Sequence, residues 1–252
     1  MKAFLSAILL FLLVHYSSAQ LAIINDPDGY VNVRDSGHNT ARIVGRIFEG
    51  EVFQTEELEG SYWWPVFYGC DPDRDSLATS KRDFYRKELG IEGYVAIQGF
   101  VHRSRIRLIS SLPSLSERSF NSHRNSVTIS NSSIRVTLHT ASFDSTKHQL
   151  ERSGIGNWIT RVDGKKPWGQ DGGMPHIQIQ KLSFHIDSKE LKFPRHHFDD
   201  LYEPNLSGLN LYFASDDQWF LCMVNNSDGG GAYDAVWIIK EGKVSRRVIL
   251  VP

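Results

Sequence analysis

Asp163, Asp171 and Glu203 are candidate acids for hydrolytic chemistry. Glycosidic hydrolysis needs at least two carboxylates, one to donate a proton and one to attack or to activate water. Asp163 and Asp171 belong to a loop of distinctive composition. Asp163 to Gly173 and Asn226 to Gly231 both mix Gly with Asp and flank an aromatic residue, Trp168 in one and Tyr233 in the other. Aromatic faces beside hydrogen-bonding groups and open backbone are a common means of gripping a sugar or a peptide. Trp168, Asp171, Asp228 and Tyr233 are therefore the candidate ligand-binding residues of the second half. The plainer alternative is that both loops are long β connections that use Gly for positive φ.

Other chemistry-bearing patterns are weaker. Arg195-His196-His197-Phe198-Asp199-Asp200 packs imidazoles and carboxylates together, but adjacent His residues on a strand point to opposite faces. It reads as an exposed polar segment, and no metal site is assigned. Asp71-Pro72-Asp73-Arg74-Asp75 has the alternating acids of a calcium loop, yet Ser76 and Arg82 stand where an EF-hand needs Gly and Glu. A solvated acidic loop is expected there. The chain lacks Gly-x-Ser-x-Gly and His-Glu-x-x-His, so neither a serine-hydrolase elbow nor a zincin site is read, and no cofactor is implied. Cys70 and Cys222 allow one disulfide or two reduced thiols, and Cys222 sits in an apolar strand segment, Trp219 to Val224. No catalytic residue is assigned.

The elements that must position these residues read as β. Of 252 residues, 40% are hydrophobic and 23% charged, which is an ordinary globular composition. Lys and Arg number 28 against 29 Asp and Glu, without the basic excess of a general nucleic-acid binder. Residues 1–19 have the layout of a secretory signal peptide: Lys2, an apolar run from Ala3 to Val14, and small Ser17 and Ala19 before Gln20. No later run is long enough to span a bilayer. Strands are expected at Ala22–Asn25, Tyr30–Arg34, Ile43–Ile47, Glu51–Thr55 and Tyr62–Tyr68, with Phe48-Glu49-Gly50 as a hairpin connection. Ser80 to Leu89 permits one short helix. Six of the thirteen residues from Ser110 to Ser122 are Ser, which places a linker at 110–125 between two domains. The second half carries strands at Ser133–Thr140, Trp158–Val162, His176–Ile186, Leu209–Phe213, Gln218–Val224, Ala232–Lys240 and Lys243–Val251, with turns at Asp163-Gly164 and Glu241-Gly242. Trp63 and Trp64 are strand neighbours, one facing in and one out. The outward one, assigned as Trp64, would form an apolar groove with Tyr30.

Residues 22–109 resemble the bacterial SH3-like domain. The resemblance rests on Gly29-Tyr30-Val31-Asn32-Val33-Arg34, Asn39 to Gly45, Gly50-Glu51-Val52-Phe53, Trp63-Trp64-Pro65-Val66 and Gly99 to Ile106, in that order. Gly69 to Gly93 is longer than the family's usual connection. The resemblance implies a small barrel at 20–109 and an envelope-associated bacterial protein that binds peptidoglycan or peptide. Such domains are often fused to cysteine endopeptidases, whose Cys precedes its His residues; here no His follows Cys222. The second half looks like the C-terminal region of uncharacterised exported proteins of Bacteroidetes-type bacteria, on Asp163-Gly164-Lys165, Trp168 to Gly173, Asp200 to Asn205, Asn226 to Gly231 and Val236 to Lys240. That resemblance implies no activity.

The expectation is thus a mostly β protein, exported to the periplasm or secreted. An SH3-like barrel would be followed by a β-sandwich or β-sheet domain at 126–252. Its function would be non-catalytic binding of a cell-wall peptide or glycan. The alternative is a cell-wall or glycan hydrolase that uses the second half's carboxylates. Neither nucleic acid nor an integral membrane segment is expected as a partner.

Overall fold

The computed structural model describes residues 19–70, 95–115, 117–154, 156–187 and 189–251. The expected leader, the Asp71–Asp75 loop, the helix at Ser80–Leu89 and most of the long Gly69–Gly93 connection lie outside those residues. Among the described residues the protein is mostly β, built from antiparallel sheets with only 3₁₀ turns between strands. No helix of the described residues is long and apolar enough to cross a membrane.

The first half forms one seven-stranded sheet. Its strands are β1 (Gln20–Ile24), β2 (Tyr30–Arg34), β3 (Ile43–Phe48), β4 (Phe53–Thr55), β5 (Trp63–Cys70), β6 (Val95–His102) and β7 (Ile106–Leu108), in the order β3-β2-β6-β5-β4-β1-β7. The period-two pattern of Tyr30–Arg34 is realised directly, with Val31 and Val33 buried and their neighbours half-buried. Phe48-Glu49-Gly50 does not make the expected hairpin. β3 pairs with β2, whereas β4 pairs with β1 and β5, so this segment carries the chain from one sheet edge to the other side. Gly99 lies inside β6, where an added Cβ would stand 2.4 Å from the Arg34 carbonyl oxygen; only Gly lets β6 approach β2 this closely.

The second half is a sandwich. One sheet has the order β15-β14-β11-β10-β9, from β9 (Arg118–Asn121), β10 (Ser126–Ser130), β11 (Ile134–Ser142), β14 (Ile177–Ile186) and β15 (Lys189–Leu191). The other has the order β19-β18-β17-β16-β8, from β8 (Ser114–Leu115), β16 (Leu209–Phe213), β17 (Gln218–Asn226), β18 (Tyr233–Lys240) and β19 (Lys243–Leu250). A separate hairpin, β12 (Leu150–Arg152) with β13 (Ile159–Val162), stands beside it. Val127, Val136, Leu138 and Phe184 from the first of these sheets meet Leu211, Leu221, Met223 and Trp237 from the second in one core.

Residues 110–125 are not the expected linker. They supply β8 and β9, and Leu112 and Leu115 are buried at 4% and 6% exposure. Ser110, Ser111, Ser114, Ser119 and Ser122 are exposed, so composition alone hid two edge strands. Arg118 ties β9 across the sandwich, donating to the carbonyls of Ser207 (2.6 Å) and Leu209 (2.8 Å) and to Asn210 Oδ1 (2.8 Å).

The sheet that contains β18 is covered on both faces. Phe220, Cys222, Val236 and Ile238 point away from the sandwich core and pack with Ile23, Val52, Ile109 and Leu112. β1 straddles two cores in the same way, with Ala22 and Ile24 facing the first half's interior and Ile23 facing this junction. Double coverage explains why β18 is buried from Tyr233 to Ile239 and reads as a nearly unbroken apolar run.

Candidate functional site

Tyr233 does not present a ring to a ligand. It shares the inward parity of Ala235 and Trp237 on β18 and is fully buried, and its hydroxyl donates to the Tyr202 carbonyl at 2.9 Å. Burial pushes the phenol's pKa well above its usual value, so Tyr233 is a neutral structural donor. Trp168 is half-buried against the sandwich core. Its N–H donates to the Asp200 carbonyl and its carbonyl accepts from Tyr202, both at 2.9 Å, and Lys166 Nζ stands 4.0 Å from the ring centroid. The expected platform is corrected at Tyr233, whose ring is core; Trp168 keeps a half-buried ring between the core and Lys166.

Asp171 and Asp228 are exposed, as expected of loop acids. Asp171 reaches from its own loop to the second one, where Oδ2 accepts from Gly230 N at 3.1 Å. Asp228 precedes the 3₁₀ turn Gly229–Gly231 without capping it through its side chain. The exposed aromatic residue of this neighbourhood is Trp158, with 64% of its surface accessible. The strand expected at Trp158–Val162 begins at Ile159 instead, leaving Trp158 in the turn of the β12–β13 hairpin. Its signal in the sequence was slight: a Trp following Gly156-Asn157, a turn pair that predicts exposure.

The three candidate acids are all engaged by the fold. Asp163 opens the Asp163-Gly164 turn, as expected, with φ of 51° and 76°. Its Oδ2 lies 2.7 Å from His148 Nδ1 and its Oδ1 accepts from Gln149 N at 2.9 Å. The His148 bond, then the Gln149 bond, hold this carboxyl below its ordinary range. The imidazole of His148 stacks on Phe143, with ring centroids 4.6 Å apart, and its side chain is only 10% exposed. Thr146, Lys147, His148, Gln149 and Asp163 line an open hollow of ≈ 510 Å³. Glu203 bridges elsewhere, accepting from the backbone N–H groups of His176 and Ile177.

In the first half, Trp64 is the inward residue of its pair. It lies opposite Val101 and shares the parity of Val66 and Tyr68, all three in the first half's core, and its indole N–H is buried. Trp63 takes the outward place, meeting His102 edge-on at 5.4 Å. Tyr30 sits on β2 with Phe48 at 6.0 Å and the Arg46 guanidinium at 4.8 Å from its ring; β6 separates it from the strand of Trp64. The Tyr30–Trp64 groove is therefore not formed.

His196 and His197 occur in a 3₁₀ turn, Arg195–His197, rather than on a strand, and their rings lie 4.2 Å apart. Burial, then His196 and Arg247, lower the pKa of His197. Asp199 accepts from Lys165 Nζ at 2.6 Å and Asp200 from Arg247 Nη2 at 2.7 Å, so the acids serve ion pairs. No group of three or more metal-ligating side chains occurs among the described residues. Cys222 is a free, fully buried thiol whose pKa is pushed up by desolvation, so the disulfide alternative is not realised at this residue.

No family model matches the chain, and neither the curated proteins nor the solved structures include a detectable match.

Proposed function

We propose that this is an exported, non-catalytic binding protein of the bacterial envelope, with a cell-wall glycan or peptide as ligand. One observation carries the reading. Each of the three acids singled out for hydrolysis already holds a bond within the fold, Asp163 to His148 and Gln149, Asp171 to Gly230, and Glu203 to His176 and Ile177. Export rests on the leader-like residues 1–19, and envelope residence on the SH3-like motifs of residues 22–109.

A second reading has one specific observation behind it. A carboxylate bonded to Nδ1 of an imidazole is how a general base is oriented, and the Asp163–His148 pair borders the open hollow. Incubation of the purified protein with peptidoglycan sacculi separates the two. Retention on the sacculi without release of soluble fragments supports the binding role. Release of fragments that His148→Asn abolishes supports the hydrolase and overturns the proposal.

A further inference from the structure

We infer that the cleft between the two halves, at the Glu49-Gly50 crossing, is a ligand site, and that it takes a zwitterion of one or two amino-acid residues. The inference rests on the binding role proposed above. It takes the peptide side of that role and adds a place and a charge pattern to it.

Strand register builds one wall of the cleft. Gln218 on β17 stands opposite Lys240 on β18, and Ile238 on β18 stands opposite Arg246 on β19. Ile238 packs into the junction between the halves, so Lys240, two residues on, and its partner Gln218 share that outer face. The opposing wall is Glu49-Gly50, which carries the chain from β3 to β4. An added Cβ on Gly50 would stand 3.5 Å from Gln218 Nε2, which puts the amide against the crossing segment. Arg246 reaches between the halves to Glu51 at 3.3 Å and so joins the two walls. These residues enclose a cleft of ≈ 250 Å³.

The charges of the lining select the ligand class. Among the described residues the Glu49 carboxylate and the Lys240 ammonium form no ion pair, and the Gln218 side chain makes no hydrogen bond. Asp217 feels the Lys240 charge, but its carboxylate is taken first by the Ser215 hydroxyl at 2.5 Å. A lone exposed charge on a surface is ordinary. Here two of opposite sign line one cleft and are held apart by it, with an unused amide beside them. Arg246 adds no further free cation, because Glu51 neutralises it. The cleft therefore offers Lys240 and Gln218 to a carboxylate and Glu49 to an ammonium, which is complementary to a zwitterion rather than to an anion. Ile238, 4% exposed, offers an aliphatic contact for a small side chain. The volume lies below the ~300–1,000 Å³ of sites for drug-sized ligands, which fits one or two residues and not a glycan chain. An uncharged sugar would use neither charge.

The test is an NMR titration of the purified, isotope-labelled full chain. The probes are alanyl-alanine, its N-acetyl form, its C-terminal amide form, and chitohexaose. Expected is saturable binding of alanyl-alanine that shifts the Gly50 amide and the Gln218 side-chain amide. Glu49→Gln should weaken alanyl-alanine about two- to fivefold and leave the N-acetyl form unchanged, and Lys240→Gln should weaken both by a similar factor and leave the amide form unchanged. Glu49 and Lys240 are exposed and make no ion pair, so an unchanged Tm is expected of both variants. Equal binding of the three peptide forms overturns the zwitterion, and chitohexaose binding at Gly50 and Gln218 overturns the ligand class. Peptide binding that shifts only residues elsewhere overturns the location. Failure of all four probes while intact sacculi still retain the protein overturns the inference and spares the binding role. Failure of the probes and of the sacculi together overturns both.

Discussion

The hydroxyl of Tyr233 donates across 2.9 Å to the carbonyl of Tyr202 inside a core with no exposure, and that single bond shows why an aromatic beside a Gly-rich loop need not be a ligand platform. Loop composition was legible: Asp171 does bridge the two Gly-rich segments that stand out in the sequence. Ring orientation was not, because it depends on which face of β18 is covered, and both are. Tyr233→Phe is expected to lower stability by about 1–2 kcal/mol, read as a shift in the urea midpoint, by leaving the Tyr202 carbonyl without this donor. A neutral result would mean that the bond is replaced on relaxation. Asp163 supports a prediction of a different kind. His148 and Gln149 depress its folded-state pKa below 3.8, so the stability it contributes is present above that value and is lost as the pH falls through the folded value. The Tm difference between the native protein and Asp163→Asn should therefore be largest near neutrality and close below 3.8. A difference that persists unchanged in acid would show that the side chain acts through shape alone.

Strands that alternate apolar with more polar residues were the most readable elements. Tyr30–Arg34 and Leu209–Phe213 fall where period-two patterning puts them, and Glu241-Gly242 makes the expected β18–β19 turn with φ of 50° and 68°. Pairing partners were less readable. Nothing local in Phe48-Glu49-Gly50 says that β3 and β4 part company, since register depends on strands distant in sequence. The 110–125 segment failed for a related reason. Two short edge strands rich in Ser look like a linker until Leu112, Leu115 and Arg118 find their places. Limited proteolysis is accordingly expected to spare residues 110–125 in the native protein. Arg118→Ala, which removes three hydrogen bonds to residues 207–210, should cost about 1–3 kcal/mol and make the segment a cleavage site. Early cutting at 110–125 in the unsubstituted protein would restore the linker reading.

At the scale of the whole molecule, the two halves share an apolar junction rather than meeting through a tether. Ile23, Val52, Ile109 and Leu112 come from the first half and its exit, and Phe220, Cys222, Val236 and Ile238 from the sandwich. A buried ion pair adds to this junction. Glu51, 5% exposed at its side chain, accepts from Arg246 at 3.3 Å across the halves, while it also takes the Tyr68 hydroxyl at 2.5 Å and the Phe48 N–H at 2.8 Å. Removing Arg246 takes one charged hydrogen-bond partner from Glu51, a loss that typically costs about 1.5–3 kcal/mol. Removing the first half altogether would uncover the outer face of the sheet that contains β18, with Phe220, Cys222, Val236 and Ile238. A fragment spanning residues 110–252 is therefore expected to bind a hydrophobic dye and to associate, whereas the full chain stays monodisperse. Calorimetry of the full chain should show one unfolding transition, and Arg246→Ala should lower its midpoint or split it in two. Two well-separated transitions in the unsubstituted protein, together with a soluble 110–252 fragment of native stability, would show that the junction contributes little and that each half folds on its own core.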